Sequence, residues 1–422
     1  MAQRIKSRRR KAVKKQAVHY FDYSLLAIII FLMCFGLVML YSISSYEART
    51  EYGDGMYFLK RQGLIGLGSI VVMMWVSRLD YHMFSKYAAM SYWGSMLLLA
   101  LVKFTPLGIE VNGARRWFRL PANQSFQPAE IMKIAVIVFI PYLICRMGNK
   151  VHTLKGSLGV VEWGGLAALG VYVLTDNLSS AIIVMGISCC ILFVVHKKQK
   201  IFLWIAGGGV AVFVAGSYVL GRLLENSTSF RLRRIIAWLN PEKYASTISF
   251  QTVQGLYAIG SGGFFGKGLG NGVQKTVIPE VQNDMILSAI CEELGVFGAI
   301  IILVLFGLLI YRLLFIAQNA PDLYGALIMT GIMSHIAIQV ILNVMVVTNM
   351  MPNTGITLPF ISYGGTSILF LIDHIGDLAR TVPTDAPLWH KWFKTWLLAM
   401  VSQRSEERRV GKECRSRWSP YH

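Results

Sequence analysis

Acidic residues lie at the start of one long apolar segment of this chain and inside it. Asp284 opens the segment, just after a glycine-rich stretch at residues 260–272, and Glu292 and Glu293 follow inside it. An ionised side chain in apolar surroundings is unfavourable without a partner. Asp284, Ser288 and Glu292 are spaced by four, which would place them on one helix face. The pattern predicts a polar face turned towards a cavity, with Asp284 as its reactive group. The alternative for Asp284 is a helix N-cap.

A second polar cluster, Gln-Pro-Ala-Glu-Ile-Met-Lys, occupies residues 127–133 at the start of another apolar segment. Pro128 suits the first turn of a helix. Glu130 and Lys133 are three residues apart, so they would share a helix face and could form an ion pair. Such a pair either hides its own charge or, together with Gln127, forms a polar wall of the same cavity.

A third cluster, PNTGITLPFISYGGTS, spans residues 352–367 and contains two prolines and three glycines. These residues would bend the backbone at the edge of a membrane. Irregular backbone at that depth is tolerated only inside protein or beside a wet cavity. We therefore predict that Ser362, Gly364 and Gly365 contact a ligand in that cavity, although a simple loop and helix kink is the alternative.

Basic residues occur in two connections that are predicted to face outward. Arg115 and Arg116 lie in NGARRWFRL, and further arginines lie in FRLRRIIAWLNP at residues 230–241. Arginine binds phosphate through its bidentate fork, and Lys267 and Lys275 add cations near the glycine-rich stretch. The sequence predicts an anionic ligand at the outer face, with snorkelling to lipid headgroups as the alternative.

The composition indicates a membrane protein. Of 422 residues 55% are hydrophobic and 15% charged, against roughly 25% charged in globular domains. Most of the chain falls into apolar runs long enough to cross a bilayer as helix. We predict an all-α polytopic membrane protein in which residues 21–380 form about ten transmembrane helices, with a large extracytoplasmic loop at 223–284 between spans seven and eight. The predicted spans lie near 24–44, 63–77, 87–103, 129–146, 157–175, 178–195, 202–222, 285–311, 324–349 and 357–378.

The net charge of +19 does not indicate nucleic acid, because eight of the cations lie in the first fifteen residues. A basic run before a first span is typical of a cytoplasmic anchor facing anionic lipid, so residues 1–20 are assigned that role. The charges of the short connections predict that both termini are cytoplasmic. Residues 381–422 would then form a cytoplasmic tail, whose polar part after about Ser402 is interpreted as either a disordered tail or non-native sequence. The six cysteines show no paired metal-ligand spacing.

Four motifs in order resemble the SEDS family, the proteins of shape, elongation, division and sporulation. They are QPAEIMK at 127–133, GSGGFFGKGLGNGVQK at 260–275, the PE…ND…EELG run at 279–295, and LPFISYGGTS at 358–367. The resemblance covers roughly residues 20 to 380 and is nearer to the FtsW and SpoVE branch than to RodA. Two departures from the family pattern are Asp-Met at 284–285 and TDNLSS at 175–180.

The resemblance implies a peptidoglycan glycosyltransferase of the bacterial cytoplasmic membrane that polymerises lipid II into glycan strands at the outer face. It places the family's essential aspartate at Asp284, as a general base in an inverting transfer, and the family's polar helix start at Gln127, Glu130 and Lys133. It further implies a divalent cation, Mg²⁺ or Mn²⁺, with Asp284 as a candidate ligand. The implied partners are a class B penicillin-binding transpeptidase and other divisome or elongation-complex proteins.

Two other classes of function use the same features. A flippase for the lipid-linked precursor would also need a polar cavity, basic outer loops and broken helices. A carboxylate at an extracytoplasmic helix start, instead of at the midplane, favours the enzyme. A scaffold of a division complex would need neither Asp284 nor Glu130.

Overall fold

The fold is helical, and the computed structural model describes residues 22–77, 79–111, 114–120, 124–197, 199–223 and 230–364. The helices are α1 (Tyr23–Tyr52), α2 (Tyr57–Val76), α3 (His82–Phe104), α4 (Pro128–Met147), α5 (Leu154–Thr175), α6 (Leu178–Val195), α7 (Gln199–Leu223), α8 (Phe230–Leu239), α9 (Phe250–Gly262), α10 (Ile286–Gln318) and α11 (Leu323–Val347). Short 3₁₀ turns occupy Gly148–His152 and Gln274–Thr276.

Eight helices of the described part are long and apolar enough to cross a membrane: α1 to α6, with α4 extended by the following turn, and α10 and α11. They match eight of the ten predicted spans, and α7 coincides with the predicted seventh span. The predicted tenth span, 357–378, begins with irregular backbone up to residue 364. The rest of that span, the basic segment 1–20 and the tail 381–422 lie outside the described residues.

Local sequence signals explain where several helices begin and end. The Asp22 carboxylate accepts the amides of Ser24 and Leu25 at the start of α1, and Gly53 ends that helix in the left-handed conformation. Asn177 caps α6 through the Ser180 amide. Pro128 stands in the first turn of α4 as predicted. Caps of this kind satisfy amides that have no partner inside the helix.

A small antiparallel sheet connects α3 to α4, and the all-helical prediction had not included it. Its strands are β1 (Gly108–Val111), β2 (Ala114–Leu120) and β3 (Gln124–Phe126), in the order β1-β2-β3. In register, Ile109 pairs with Trp117 and Phe118 with Phe126. The strands are short, so their alternation was hidden among arginines that the sequence indicated only as a basic connection.

The most enclosed helices are α11 and α4. In their most apolar 18-residue stretches, 72% and 56% of the residues are buried. Helix α11 packs against α4, α6 and α10, and α6 packs against α4. Helices α4 and α6 thereby reach α10 through α11. This arrangement brings the amino-terminal ends of α4, α6 and α10 around one central helix.

The predicted outer loop at 223–284 is more structured than expected. It contains α8 and α9, and α9 packs directly against α10. Helix α10 is broken at Gly295, whose φ of 72° is in the left-handed region. A Cβ at Gly295 would overlap the carbonyl of Phe264, so only glycine fits there.

The glycine-rich segment forms main-chain hydrogen bonds with α10 in place of those that the helix loses at this break. The amides of Lys267 and Gly268 donate to the carbonyls of Glu292 and Glu293, each at 2.9 Å. Beyond the break, the Val296 amide donates to the Gly263 carbonyl and the Phe297 amide to that of Phe264. Gly295 is about 14 Å along α10 from Ile286. The segment therefore lies against the side of α10 and is not a free external loop.

Candidate functional site

Asp284 lies immediately before α10 and not within it, since the N-cap position is occupied by Met285. Its side chain is buried, with 9% of the residue exposed. The side-chain amide of Asn343, in α11, donates to the Asp284 carbonyl at 2.9 Å and to the Ile356 carbonyl at 2.7 Å. The Oδ2 atom of the Asp284 carboxylate lies close to Gly355, in the loop after α11. Helix α11 and the loop after it thus hold Asp284 from two sides.

The Asn353 side chain lies beside the Asp284 carboxylate, close enough for hydrogen bonding between them to lower the pKa of Asp284. The same Asn353 amide donates to Gln251 Oε1 at 3.2 Å, and its Oδ1 accepts the Gly355 amide at 3.0 Å. Arg234, in α8, donates to the Asn353 carbonyl at 3.0 Å. Asn353 is therefore held beside the carboxyl group by contacts with α8, with α9 and within its own loop.

The environment raises the pKa of Asp284 above its ordinary value. Burial is the main cause, because the ionised form loses its hydration, and the negative charge of Glu280 adds to it. The positive charge of Arg234 and the Asn353 hydrogen bond act in the opposite direction. A carboxylate with a raised pKa is a stronger base, which is the property required of a group that accepts a proton from a hydroxyl.

Arg116 joins this neighbourhood from β2. Its Nε donates to the Thr175 carbonyl at 3.2 Å and its Nη2 to the Asp176 carbonyl at 3.0 Å, at the α5–α6 turn. Asp176 adopts the left-handed conformation there. Burial, and next the charge of Arg116, lower the pKa of Arg234. The two guanidinium groups are therefore close enough to repel one another.

Arg115 is separated from Arg116, because successive residues of a strand point to opposite faces. Its side chain is exposed and its Nε lies 3.6 Å from the carboxylate of Glu110 on β1. The two side chains therefore point to different sides of the sheet, and the predicted ligand role of Arg115 stays a prediction. Of the two arginines, Arg116 is the one directed towards the elements around Asp284.

The two predicted lysines bind acidic side chains of the protein itself. Lys267 Nζ lies 2.7 Å from Glu292 Oε1, and Lys275 Nζ lies 2.8 Å from Glu293 Oε1. Glu292 also accepts the amides of Val273 and Gln274. These pairs fasten the glycine-rich segment to α10. The lysines thus have a structural role in this conformation, and their role as cations for a ligand stays a prediction.

The predicted polar face of Asp284, Ser288 and Glu292 is not formed. The four-residue spacing requires helix from residue 284, whereas α10 begins at Ile286. Ser288 is fully buried, with its hydroxyl bonded to the Met285 carbonyl, and it lies against Gly255 of α9. Glu292 is enclosed by the glycine-rich segment. Only Asp284 of the three lies among the polar groups of the site.

The polar start of α4 has the predicted geometry. Lys133 Nζ lies 2.7 Å from Glu130 Oε1, and the two side chains are 2% and 10% exposed. Gln127 precedes the helix, is buried, and accepts the Glu130 amide at its carbonyl. The pair belongs to the helix that contacts both α6 and α11. Its charge is compensated internally, which was one of the two alternatives for this motif.

The ISYGGTS motif packs against α2. The Ser362 hydroxyl accepts the Leu358 amide at 2.8 Å and its carbonyl accepts Gln62 Nε2 at 3.3 Å. The Gly364 amide donates to Gln62 Oε1 at 3.4 Å. These contacts define a turn, and a ligand role for Ser362 and Gly364 stays a prediction. Gly365 lies outside the described residues.

The sequence alone did not single out three residues of the site: Arg234, Asn343 and Asn353. Arg234 belonged to a basic run already linked to an anionic ligand, but nothing distinguished it from its neighbours. Its helix places Ile236 and Ala237 in the core and leaves Arg233 exposed, so the amphipathic pattern was the usable signal. An asparagine inside a long apolar span, as Asn343 is, was a second usable signal.

A divalent cation was expected at Asp284, and the protein donors there are few. The described residues contain no group of three or more His, Cys, Asp or Glu side chains that could hold a metal. Mg²⁺ is commonly bound by one or two carboxylates together with substrate phosphates. The donor set at Asp284 therefore suits a cation shared with a phosphorylated ligand better than a cation held by protein alone.

The comparison with known proteins decides the family. The protein-family model described as "Cell cycle protein", which covers FtsW, RodA and SpoVE, matches residues 23–383. This chain belongs to the FtsW/RodA/SpoVE family. The family assignment agrees with the SEDS resemblance of the four motifs.

Individual relatives cover nearly the whole family segment. A probable peptidoglycan glycosyltransferase FtsW from Trichlorobacter lovleyi is 36% identical over 359 residues, 85% of this chain and 92% of that relative. Stage V sporulation protein E from Bacillus subtilis is 35% identical over 362 residues, 85% of this chain and 95% of the relative.

Solved structures share the fold. A chain from a peptidoglycan synthase complex that coordinates polymerization and crosslinking superposes with a TM-score of 0.69 at 25% identity, covering 85% of this chain and 96% of that one. The rod shape determining protein RodA of Thermus thermophilus gives 0.58 at 24% identity, with the same coverage.

Proposed function

We propose that this chain is a peptidoglycan glycosyltransferase that polymerises lipid II at the outer face of the bacterial cytoplasmic membrane. The proposal depends on one observation above all. Asp284 is a buried carboxyl with a raised pKa, bordered by Asn353 and Arg234, immediately before the start of α10. Family membership and relatives named as peptidoglycan glycosyltransferases support it.

The reaction requires one base and a means of stabilising negative charge. Asp284 accepts the proton of the 4-hydroxyl of the acceptor N-acetylglucosamine. The oxygen attacks the anomeric carbon of the donor N-acetylmuramic acid, a new glycosidic bond forms with inversion, and the bond to the diphosphate breaks. Undecaprenyl diphosphate leaves with the bonding electrons, so it needs no strong proton donor. A positioned base contributes typically 10²–10⁴-fold to such a step.

Stabilisation of the leaving group is assigned to cations near Asp284, of which Arg234 and Arg116 are the best placed. A divalent cation, for which Asp284 would be a candidate ligand, would add positive charge that stabilises the leaving group. The Glu130–Lys133 pair is proposed to shape the neighbouring wall from α4.

Both termini are proposed to be cytoplasmic. The proposed partner is a class B penicillin-binding transpeptidase within a division or elongation complex.

The deciding experiment is polymerisation of lipid II by the purified full-length chain in detergent with Mg²⁺ or Mn²⁺, with and without the transpeptidase. A glycosyltransferase yields glycan polymer, whereas a flippase yields none. Asp284→Asn should abolish polymer, and Glu242→Gln, which removes an exposed carboxylate from the loop after α8, is the matched control. A folded Asp284→Asn protein that polymerises at the parental rate would refute the assignment.

A further inference from the structure

A group of carboxylates lies beside the segment that precedes Asp284. Glu47, near the end of α1, is half-buried, and its carboxylate accepts the side-chain amide of Gln282 at 3.2 Å. The negative charges of Glu51, one turn further along α1, and of Glu280 also act on Glu47. Glu47, Glu51 and Glu280 therefore form one acidic patch, which Gln282 joins to the chain two residues before the proposed base.

The acidic patch has no cation of its own in the described part of the chain. The ion pairs formed by the described residues all join other groups. Asn283 donates a hydrogen bond to Glu280 at 3.1 Å, but its amide carries no charge. Like charges placed near one another disfavour each other's ionised form, and an opposite charge relieves this cost. The patch is thus suited to a cation that comes from outside the chain.

The side chain of Gln282 is a second and independent indication of a ligand. It is 3% exposed, and its Oε1 atom has no hydrogen-bond partner among the described residues. Its Nε2 atom faces Glu47, so the side chain extends into the acidic patch. The main chain of Gln282 is fixed, since its carbonyl accepts the Tyr363 amide at 2.9 Å. A buried acceptor without a donor is unfavourable, and a ligand that donates hydrogen bonds would satisfy it.

These groups favour an ammonium group over a metal ion. A metal ion requires several ligand atoms that converge on one point, and the described residues contain no group of three or more acidic, histidine or cysteine side chains that could hold one. A primary ammonium has three N–H donors, which suit carboxylate oxygens together with an amide oxygen. Tyr52, half of which is exposed, lies near Glu47 and Glu51. An aromatic ring attracts an ammonium group through its face.

We propose that Glu47, Glu51, Glu280 and the side-chain oxygen of Gln282 bind the free amino group of the peptide that the substrate saccharide carries. This inference rests on the proposed function and adds a determinant of substrate specificity to it. Lipid II carries a short peptide on its N-acetylmuramic acid, and the diamino acid of that peptide has a free amine. The charge of Glu280 also acts on Asp284, so the acidic patch borders the place where the sugars react.

Binding of two forms of lipid II tests the site without requiring turnover. One form has a lysine with a free ε-amine in its peptide, and in the other form this amine is acetylated and uncharged. Both are titrated at low ionic strength against the full chain with Asp284→Asn, in nanodiscs of phosphatidylcholine. The free-amine form should bind about 10-fold more tightly, the effect of charge-assisted hydrogen bonds. Adding Glu47→Gln should bring the two affinities close to one another, whereas Glu242→Gln, which removes an exposed carboxylate elsewhere, should leave the preference unchanged.

The outcomes separate this inference from the proposed function. If the free-amine form is preferred but the parental chain makes no polymer, the catalytic assignment fails and the amine site stands. Equal affinity for both forms, no binding of either form, or a preference that persists in Glu47→Gln would overturn the site. Equal losses of preference in Glu47→Gln and Glu242→Gln would show a general effect of surface charge and also overturn it. Should Glu47→Gln not fold, Glu51→Gln and Glu280→Gln at exposed positions decide, since an unchanged preference in both rejects the proposal.

Discussion

The side chain of Asn343 joins the main chain of Asp284 to that of Ile356, donating to both carbonyls from near the end of an apolar helix. This relationship couples the entrance of α10 to the loop that carries Asn353. We expect Asn343→Leu to leave two buried carbonyls without their donor, at about 1–3 kcal/mol each. The polymerisation rate should fall at least tenfold because Asp284 loses its position.

The control for this prediction is Asn319→Leu. Asn319 also donates to a main-chain carbonyl, that of Phe315, but at the opposite end of α10. Its rate in the lipid II assay should stay within about twofold of the parent. Comparable rate losses in both variants, measured on folded protein, would show that Asn343 acts only through general stability.

Asp284→Asn should separate activity from stability. Removing the base should lower the rate by about 10² to 10⁴. The pKa of Asp284 is raised, so the folded state binds this proton more tightly than the unfolded state, and stability falls as pH rises through the folded pKa. The uncharged variant avoids that loss. Its melting temperature should therefore equal or exceed the parental value, and the difference should grow with pH.

The pH dependence of kcat/KM should report the charges around Asp284. The base must be ionised, so the rate should rise with pH through a pKa above the ordinary aspartate value. Loss of the positive charge in Arg234→Gln should move this rise in kcat/KM to higher pH. Loss of the negative charge in Glu280→Gln should move it to lower pH. Shifts of the same sign in both variants would contradict the assigned neighbourhood.

Asn353→Ala should impair catalysis through orientation. The variant removes the hydrogen bond to the Asp284 carboxylate and the contact with Gln251. We expect kcat to fall about tenfold or more, with a smaller change in KM. The rise of kcat/KM with pH should move to higher pH. Gln251→Ala, which keeps the hydrogen bond to Asp284, is the comparison and should retain most of kcat. An unchanged pH profile in Asn353→Ala would argue against this contact.

The Lys267–Glu292 pair can be tested as a purely structural contact. Lys267→Met leaves the fully buried Glu292 carboxylate without its cation, and loss of one partner of a buried pair typically costs about 3–5 kcal/mol. The double variant Lys267→Met with Glu292→Gln should recover much of that stability and retain polymerisation. Loss of polymerisation in a stable double variant would restore the ligand role first predicted for Lys267.

The helical architecture and the position of the key carboxylate were predictable from sequence, because both depend on local pattern. Apolar run length identifies spans, and an unexplained acidic residue at a span boundary identifies Asp284. The i,i+3 pair of Glu130 and Lys133 was likewise a local property.

What the sequence did not predict depends on contacts between distant segments. The spacing of Ser288 and Glu292 suggested one polar face, but the actual start of α10 at Ile286 and the position of the glycine-rich segment removed it. Lys267 and Lys275 appeared as available cations because their acidic partners lie 25 and 18 residues away. Arg234 and Asn353 meet across 119 residues, beyond the reach of any periodicity.

The interruption at Gly295 turns α10 at a corner that the glycine-rich segment braces. Two ion pairs and the Lys267 and Gly268 amides bond this segment to α10 before the break, and the Val296 and Phe297 amides bond α10 to it after the break. A brace across both arms fixes the angle of the corner. A displacement of the glycine-rich segment would therefore be transmitted to both arms of α10, and with them to the carboxyl residue that precedes the helix.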